Sequence, residues 1–433
     1  MRILQLTPGT GDFLCGSCLR DNALVTALRE RGHDALIAPL YLPFALERED
    51  EGGAEGVEDS IHMGGINVYL QQKLGLFRRL PRFLHDRLDS PGLLRWAAGH
   101  SRMTATPGLG ALTLSMLRGE EGRQRAELAR LVEWAAELPR PDVLLLSNVM
   151  LIGLARELKA ALGCPVVCTM QGEAPFLDAL DDRHRDRCWA TLAERAGEVD
   201  GFVAVSRYTA DLMTERLSLD PGRVRVAWNG ADLDGIGPAP SRRDPERPAV
   251  GYLARMCRDK GIDRLVEAFL LLKERHPAAR LVAAGVVLNE DRAPLERLRR
   301  RVEAAGHGAD VELLGPVDRE GKVDLLQRVD VLCVPATYGE SFGLYLPEAW
   351  AAGLPVVQPR HGGFTELVEH TGAGVLYDPG DPAALAAALG DLLGDPARRA
   401  ALSDRALDAA GEFTRARMAE RVEEALGGLL TAG

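Results

Sequence analysis

The sequence predicts an α/β protein made of two doubly wound, Rossmann-like domains facing a central cleft, and three observations carry that expectation. Short apolar runs alternate with amphipathic stretches along nearly the whole chain, the pattern of parallel βα units. One segment rich in Pro, Gly and charge, residues 235–248, separates the runs into two series. The length, 433 residues with 46% hydrophobic content, is long for one core and natural for two.

The elements follow in order. Strands are expected near Ile3–Leu6, Ala35–Pro39, Val143–Leu146, Val166–Met170, Phe202–Val205 and Val224–Ala227. The runs are mainly apolar, as strands of a covered parallel sheet are. After the linker, strands are expected near Ala249–Ala254, Arg280–Ala284, Val311–Leu314, Val331–Val334, Val356–Gln358 and Gly374–Leu376, and alanine-rich helices close the chain. The domains expected are 1–234, with an insertion near 43–125, then 249–413 beyond the linker. Residues 414–433 read as a helix packing back towards the N-terminal domain. Ligands of such sheets gather at the C-terminal ends of the strands.

Composition narrows the function. A net charge of −11 argues against broad nucleic-acid affinity. No apolar run is long enough to span a bilayer, and the N-terminus enters a strand pattern directly instead of a signal peptide. The seven cysteines, an odd number and scattered, suit a reducing cytosol, so a cytoplasmic protein is expected. No P-loop motif occurs, and Gly9-x-Gly11 lacks the third glycine of a nicotinamide-binding loop. Cys15-x-x-Cys18 has no second Cys/His pair at ligand spacing, which leaves zinc, redox chemistry and loop packing open.

The most informative stretch is Tyr338-Gly-Glu-Ser-Phe-Gly-Leu-Tyr-Leu-Pro-Glu-Ala-Trp-Ala-Ala-Gly353. It follows an apolar run and reads as a turn and then a helix, with Gly353 as its C-terminal cap. Glu340 sits just ahead of the helix and Glu348 more than a turn inside it. Eight helical residues span roughly 12 Å, about the separation between the sugar and the ribose of a nucleotide sugar. The amides near Ser341, Phe342, Gly343 and Leu344 suit the phosphates between them. One carboxylate can then hold sugar hydroxyls and the other ribose hydroxyls.

The Glu-x7-Glu spacing, the Phe-Gly after the first Glu and the Glu-Ala-x-Ala-x-Gly-x-Pro-Val-Val run resemble the retaining glycosyltransferases of family 4, the group 1 glycosyltransferases. The resemblance implies the GT-B fold, a nucleotide-diphosphate-sugar donor and same-face transfer assisted by the leaving phosphate. Gly251-Tyr-Leu-Ala-Arg255-Met-Cys-Arg-Asp-Lys260-Gly261 is similar to the family loop that hands an Arg and a Lys to the donor diphosphate. The chemistry agrees, since Arg255 can chelate two phosphate oxygens and Lys260 adds a point charge. With those cations supplied, neither a divalent metal nor any other cofactor is expected. Trp228-Asn-Gly-Ala-Asp232 and His361-Gly-Gly-Phe-Thr-Glu366 resemble two further family segments, although each also reads as an ordinary turn.

The N-terminal half departs more from the family. A loop from Pro8 to Gly16 and beyond follows the first strand, where relatives keep a Gly-rich loop beside the donor phosphates, so Gly16 is a donor-side candidate. Arg31-Gly-His33 resembles the family's helix-to-strand corner, with His33 structural. Gln171 stands where relatives often carry His; it can hydrogen-bond sugar or acceptor but cannot act as a base. Glu173 either takes the acceptor proton or caps the helix that follows it. Residues 71–103 carry seven Lys/Arg against Asp86 and Asp89, a net +5 in an acidic chain. That segment is either a solvated insertion or a surface for anionic lipid or an anionic acceptor.

The functional expectation is a retaining glycosyltransferase using a nucleotide sugar. Glu340, Arg255, Lys260 and Glu173 are its catalytic candidates, with Glu348 on the donor and Gln171 and Glu173 on the acceptor side. The alternatives are a non-catalytic nucleotide-sugar-binding subunit, for which Gln171 speaks, and a sugar-nucleotide epimerase of the same fold. The base, the sugar, the acceptor and the oligomeric state are not legible.

Overall fold

A computed structural model describes residues 1–9, 16–41 and 109–431. Cys15, most of the loop after the first strand, most of the 43–125 insertion and the basic segment 71–103 lie outside the described residues. The chain divides into two compact units, Met1–Asn229 with Arg415–Gly433, and Gly230–Thr414. The chain leaves the first unit at Asn229, ahead of the Pro/Gly-rich linker.

The first unit is built on six parallel strands: β1 (Arg2–Thr7), β2 (Asp34–Pro39), β3 (Val143–Leu146), β4 (Val166–Met170), β5 (Gly201–Ala204) and β6 (Val224–Val226), ordered β2-β1-β3-β4-β5-β6. Alternate residues of each strand face opposite sides of the sheet. Ile3, Ile37, Val143, Leu145, Val167 and Val203 enter one core with Leu24 and Leu28 of the helix Gly16–Glu30. Leu4, Leu6, Leu144, Leu146, Val166 and Cys168 enter the other, with the helices Leu109–Leu117, Arg125–Glu137 and Ala155–Leu162. Burial on both faces is the reason the central runs are mainly apolar, whereas the edge strand β6 is partly exposed and carries Arg225.

The last helix, Arg415–Leu430, belongs to this unit and packs on the helix Gly16–Glu30. Met418, Val422 and Leu426 complete the first core. Polar clasps fix the contact at its rim: Arg31 Nη2 lies 2.7 Å from Glu423, and the His33 ring meets the same carboxylate.

The second unit holds β7 (Ala249–Leu253), β8 (Arg280–Ala284), β9 (Val311–Gly315), β10 (Val331–Leu332), β11 (Val356–Pro359) and β12 (Gly374–Tyr377). Their order is β12-β11-β10-β7-β8-β9 with every pair parallel. The order reverses between β7 and β10, and a ligand crevice forms beyond the strand ends at such a reversal. Both motif loops, 254–261 and 335–344, leave the sheet there. No helix among the described residues is long and apolar enough to cross a membrane.

One expectation is corrected in the motif helix. It begins at Tyr345 and ends at Ala351, so Glu348 is its fourth residue and lies in the first turn, not beyond it. Pro347 fits this start, because the missing N–H of a proline costs no bond in a first turn. Gly353 adopts φ 65°, and the amide of Leu354 donates to Ala349 O at 2.9 Å, closing the helix as its sequence implied.

Candidate active site

Arg255 and Lys260 lie in the loop leaving β7, and Glu340 in the loop leaving β10, so the sheet order itself makes the two loops neighbours. Their approach depends on a glycine. Gly261 adopts φ 73°, and a Cβ there would stand 1.9 Å from the backbone oxygen of Pro335. The amide of Thr337 donates to Asp259 O at 2.8 Å and ties the loops together.

In this contact the Lys260 ammonium donates to the Glu340 carboxylate. The hydroxyls of Tyr338 and Tyr345 donate to the same oxygen, Oε2, at 3.3 and 3.4 Å. The Tyr338 ring also presents its face to the ammonium, 5.1 Å from the ring centre. Burial opposes the charge on Lys260, but Glu340 outweighs it and holds the pKa above the ordinary lysine value. Burial, and then the Glu340 charge, keep both tyrosines protonated and therefore donors.

The turn after β11 props the Glu340 backbone. Gly363 N donates to Glu340 O at 2.7 Å. A Cβ on Gly362, at φ 59°, would lie 2.6 Å from Glu340 O, and one on Gly363 would lie 2.4 Å from Ser341 O. Gly362 and Gly363 do not form a free turn but open the helix Gly362–Thr371, and both are required by the neighbouring loop. His361 Nε2 lies 3.0 Å from Ala336 O, its buried Nδ1 has no hydrogen-bond partner among the described residues, and burial lowers its pKa. Ser341 and Phe342 are buried, with the Phe342 ring edge-on to Phe413. Gly343, at φ 82°, turns the chain into the helix through Leu344.

The remaining donor-side candidates have partners that local spacing does not reveal. Glu348 accepts from Lys322 Nζ at 2.8 Å, and both side chains are nearly buried. Arg255 donates from Nε to Asp291 at 3.0 Å and from Nη2 to Glu290 at 2.8 Å. Lys322, Glu290, Asp291, Tyr338 and Tyr345 were not legible as site residues. The one hint is position, because Asp291 follows β8, the neighbour of β7.

In the first unit, Gly16 opens its helix at the edge of the undescribed loop. Gln171 follows β4, and its Nε2 donates to Asp21 Oδ1 at 3.1 Å and Ser147 O at 2.6 Å. Both neighbours are acceptors, so the amide nitrogen must face inward and Oε1 is the side-chain atom left for a ligand. Asp21 is fully buried, with Arg20 beside it at 3.1 Å, and Arg20 Nε donates to Asn229 at 2.9 Å. Asn229, expected only as part of a turn, therefore supplies a buried acceptor.

Glu173 does not cap the helix Ala174–Asp178, whose N-terminus has no side-chain cap. Its carboxylate instead accepts from the amides of Val149, Gln171 and Gly172 at 3.2, 3.1 and 2.8 Å. Burial raises its pKa against the pull of these bonds. Cys18 is buried 3.9 Å from the Thr7 hydroxyl, and among the described residues no three His, Cys, Asp or Glu side chains gather as a metal-binding group.

Comparison with known proteins agrees with this architecture. Residues 238–408 match the family described as glycosyl transferases group 1, and residues 113–234 match glycosyltransferase family 4. The chain is 31% identical over 387 residues to a D-inositol 3-phosphate glycosyltransferase of Salinispora tropica, covering 81% of this chain and 78% of that protein. It is 35% identical over 222 residues to the same-named protein of Corynebacterium jeikeium, where it spans about half of the relative, 53%. The crystal structure of HepE from Anabaena, solved with UDP and glucose, superposes with a TM-score of 0.71 at 19% identity over 99% of both chains. On this evidence the chain is a glycosyltransferase of group 1, family 4, with the GT-B fold.

Proposed function

We propose that the protein transfers a sugar, with retention of anomeric configuration, from a nucleoside-diphosphate sugar to an acceptor hydroxyl. The observation that carries this reading is the contact between Lys260 and Glu340 at the reversal point of the second sheet. A donor offers a partner to each: phosphate oxygens for the ammonium and sugar hydroxyls for the carboxylate. Arg255 meets the same diphosphate, and Glu348, steadied by Lys322, accepts from the ribose.

In the reaction, the bond from the anomeric carbon to the phosphate oxygen breaks and the bond to the acceptor oxygen forms on the same face. Arg255 and Lys260 stabilise the charge that develops on the leaving diphosphate. The acceptor proton goes to a leaving phosphate oxygen. The three amides on Glu173 support that assignment, because they make it an anchor for the loop after β4 instead of a free base. Gln171, with only Oε1 outward, accepts a hydroxyl on the acceptor side. No cofactor and no divalent metal is required by this scheme.

The HepE structure holds UDP, and the two relatives named above are D-inositol 3-phosphate glycosyltransferases, while others are glycogen synthases. A uridine donor and a polyol phosphate acceptor are therefore the first pair to test. UDP, GDP and ADP are compared by their effect on melting temperature, and the matching sugar nucleotides are then assayed for diphosphate release with D-inositol 3-phosphate and with oligosaccharides. Proton NMR of the product gives the anomeric configuration. Thermal protection by a diphosphate with no release from any donor in the panel would support a binding subunit, and an inverted product would refute retention.

A further inference from the structure

Arg255 is held by two carboxylates that serve opposite purposes. Both come from the start of the helix Asn289–Ala304, which follows β8, the parallel neighbour of β7. The loops after these strands are stitched together: Ala254 N donates to Ala284 O at 3.2 Å and Met256 N to Val286 O at 2.9 Å. Gly285 makes this approach possible, because at φ 153° a Cβ on it would stand 1.7 Å from Ala254 O. The carboxylates therefore reach the guanidinium from a fixed platform.

Their contacts differ. Asp291 Oδ2 lies between two nitrogens, 3.0 Å from Nε and 2.9 Å from Nη2, and its side chain is only 13% exposed. Glu290 Oε1 takes Nη2 alone, at 2.8 Å, from a side chain that is 55% exposed. Asp291 thus occupies the side-on edge of the guanidinium, the edge formed by Nε and Nη2. Glu290 occupies part of the end-on edge, formed by Nη1 and Nη2. A guanidinium binds two phosphate oxygens only where one whole edge is free.

We infer that Asp291 is a positioning residue that locks the side-on edge of Arg255, while Glu290 is a stand-in anion that a phosphate displaces to free the end-on edge. This deepens the proposed function and rests on Arg255 meeting the donor diphosphate. The exposed carboxylate can swing into solvent, and the buried one cannot. Glu290 lowers affinity for the diphosphate by competing with it, whereas Asp291 raises affinity by holding the arginine in place. A general electrostatic effect would act differently, since removing either negative charge would then tighten binding of an anion.

The test exploits that difference in sign. UDP, GDP and ADP are titrated calorimetrically into wild type, Glu290→Gln, Asp291→Ala, Asp291→Asn and Arg255→Ala, with melting temperatures recorded for each. Glu290→Gln should tighten binding of the preferred diphosphate about threefold, and Asp291→Ala should weaken it about tenfold. Asp291→Asn keeps an oxygen acceptor for Nε and should recover most of that loss. Both effects should vanish when Arg255→Ala is also present. Tightening by both single variants, or an Asp291→Ala effect that persists without Arg255, overturns the inference while leaving the donor assignment standing. Unchanged binding in Arg255→Ala alone overturns both. A lower melting temperature in Asp291→Ala with unaltered binding would make Asp291 a cap for its helix and nothing more.

Discussion

Lys260→Ala separates ground-state binding from transition-state stabilisation. In the free enzyme the ammonium is already satisfied by Glu340 and faces the Tyr338 ring. A bound donor exchanges one anionic partner for another, so the net gain on binding is small and the dissociation constant should rise less than about tenfold. During bond breaking the leaving phosphate gains charge. A charge-assisted contact to it is then worth about 2–3 kcal/mol, which is roughly a hundredfold in kcat. The truncation also strands Glu340, only 13% exposed, with two tyrosine hydroxyls at 3.3 and 3.4 Å. Unfolding free energy should fall by about 2 kcal/mol, as when one partner of a mostly buried pair is lost. Adding Glu340→Gln removes the stranded charge and should recover stability without recovering turnover. Steady-state diphosphate release, calorimetric donor binding and urea unfolding read the three quantities separately. A dissociation constant raised a hundredfold with kcat intact, or turnover restored in the double variant, would refute the reasoning.

Other perturbations have equally definite outcomes. Glu348→Gln should raise the donor dissociation constant with little change in kcat, because ribose contacts are alike in ground and transition states; lost turnover at unchanged affinity would reverse the assignment of the two carboxylates. Lys322→Met leaves Glu348 nearly buried without its cation and should cost about 3 kcal/mol in urea unfolding, with Glu348→Gln on top restoring part of it. Glu173→Gln should lower stability while leaving the pH–rate profile in place, whereas a lost basic limb would make Glu173 a true base. His361 titrates below its usual value because burial disfavours the charged ring. The unfolded chain therefore takes up the second ring proton first, and the contribution of the ring to stability is present above the ordinary histidine pKa of about 6.5 and lost as pH falls below it. The melting temperature of wild type should drop more between pH 7.5 and 5.5 than that of His361→Gln, and parallel drops would exclude the ring as the cause.

Periodicity and composition were enough for the fold. All twelve described strands lie where the apolar runs stand, because most are buried on both faces of a parallel sheet and need little beyond a mainly apolar run, which is a local property; the edge strands β6 and β9 are partly exposed and carry Arg225 and Glu312. The Glu-x7-Glu stretch, the Arg–Lys loop and Gly353 were legible for a related reason, since each is a short segment whose chemistry is complete within a few residues. What the sequence could not supply was partnership. Lys322 stands 26 residues before Glu348, and Glu290 and Asp291 stand 35 and 36 beyond Arg255. Their meeting depends on which strands are neighbours, and nothing in the local pattern orders β7 between β10 and β8. The same holds for Glu173, which local spacing also allows as a helix cap until the tertiary structure brings Val149 N to its carboxylate. The Gly-Gly pair after His361 reads from sequence as a turn or a ligand approach, and only the tertiary structure shows it opening a helix against the loop of Glu340. Local chemistry singled out the charged candidates Arg255, Lys260, Glu340 and Glu348, and the order of the strands decided which side chains hold them.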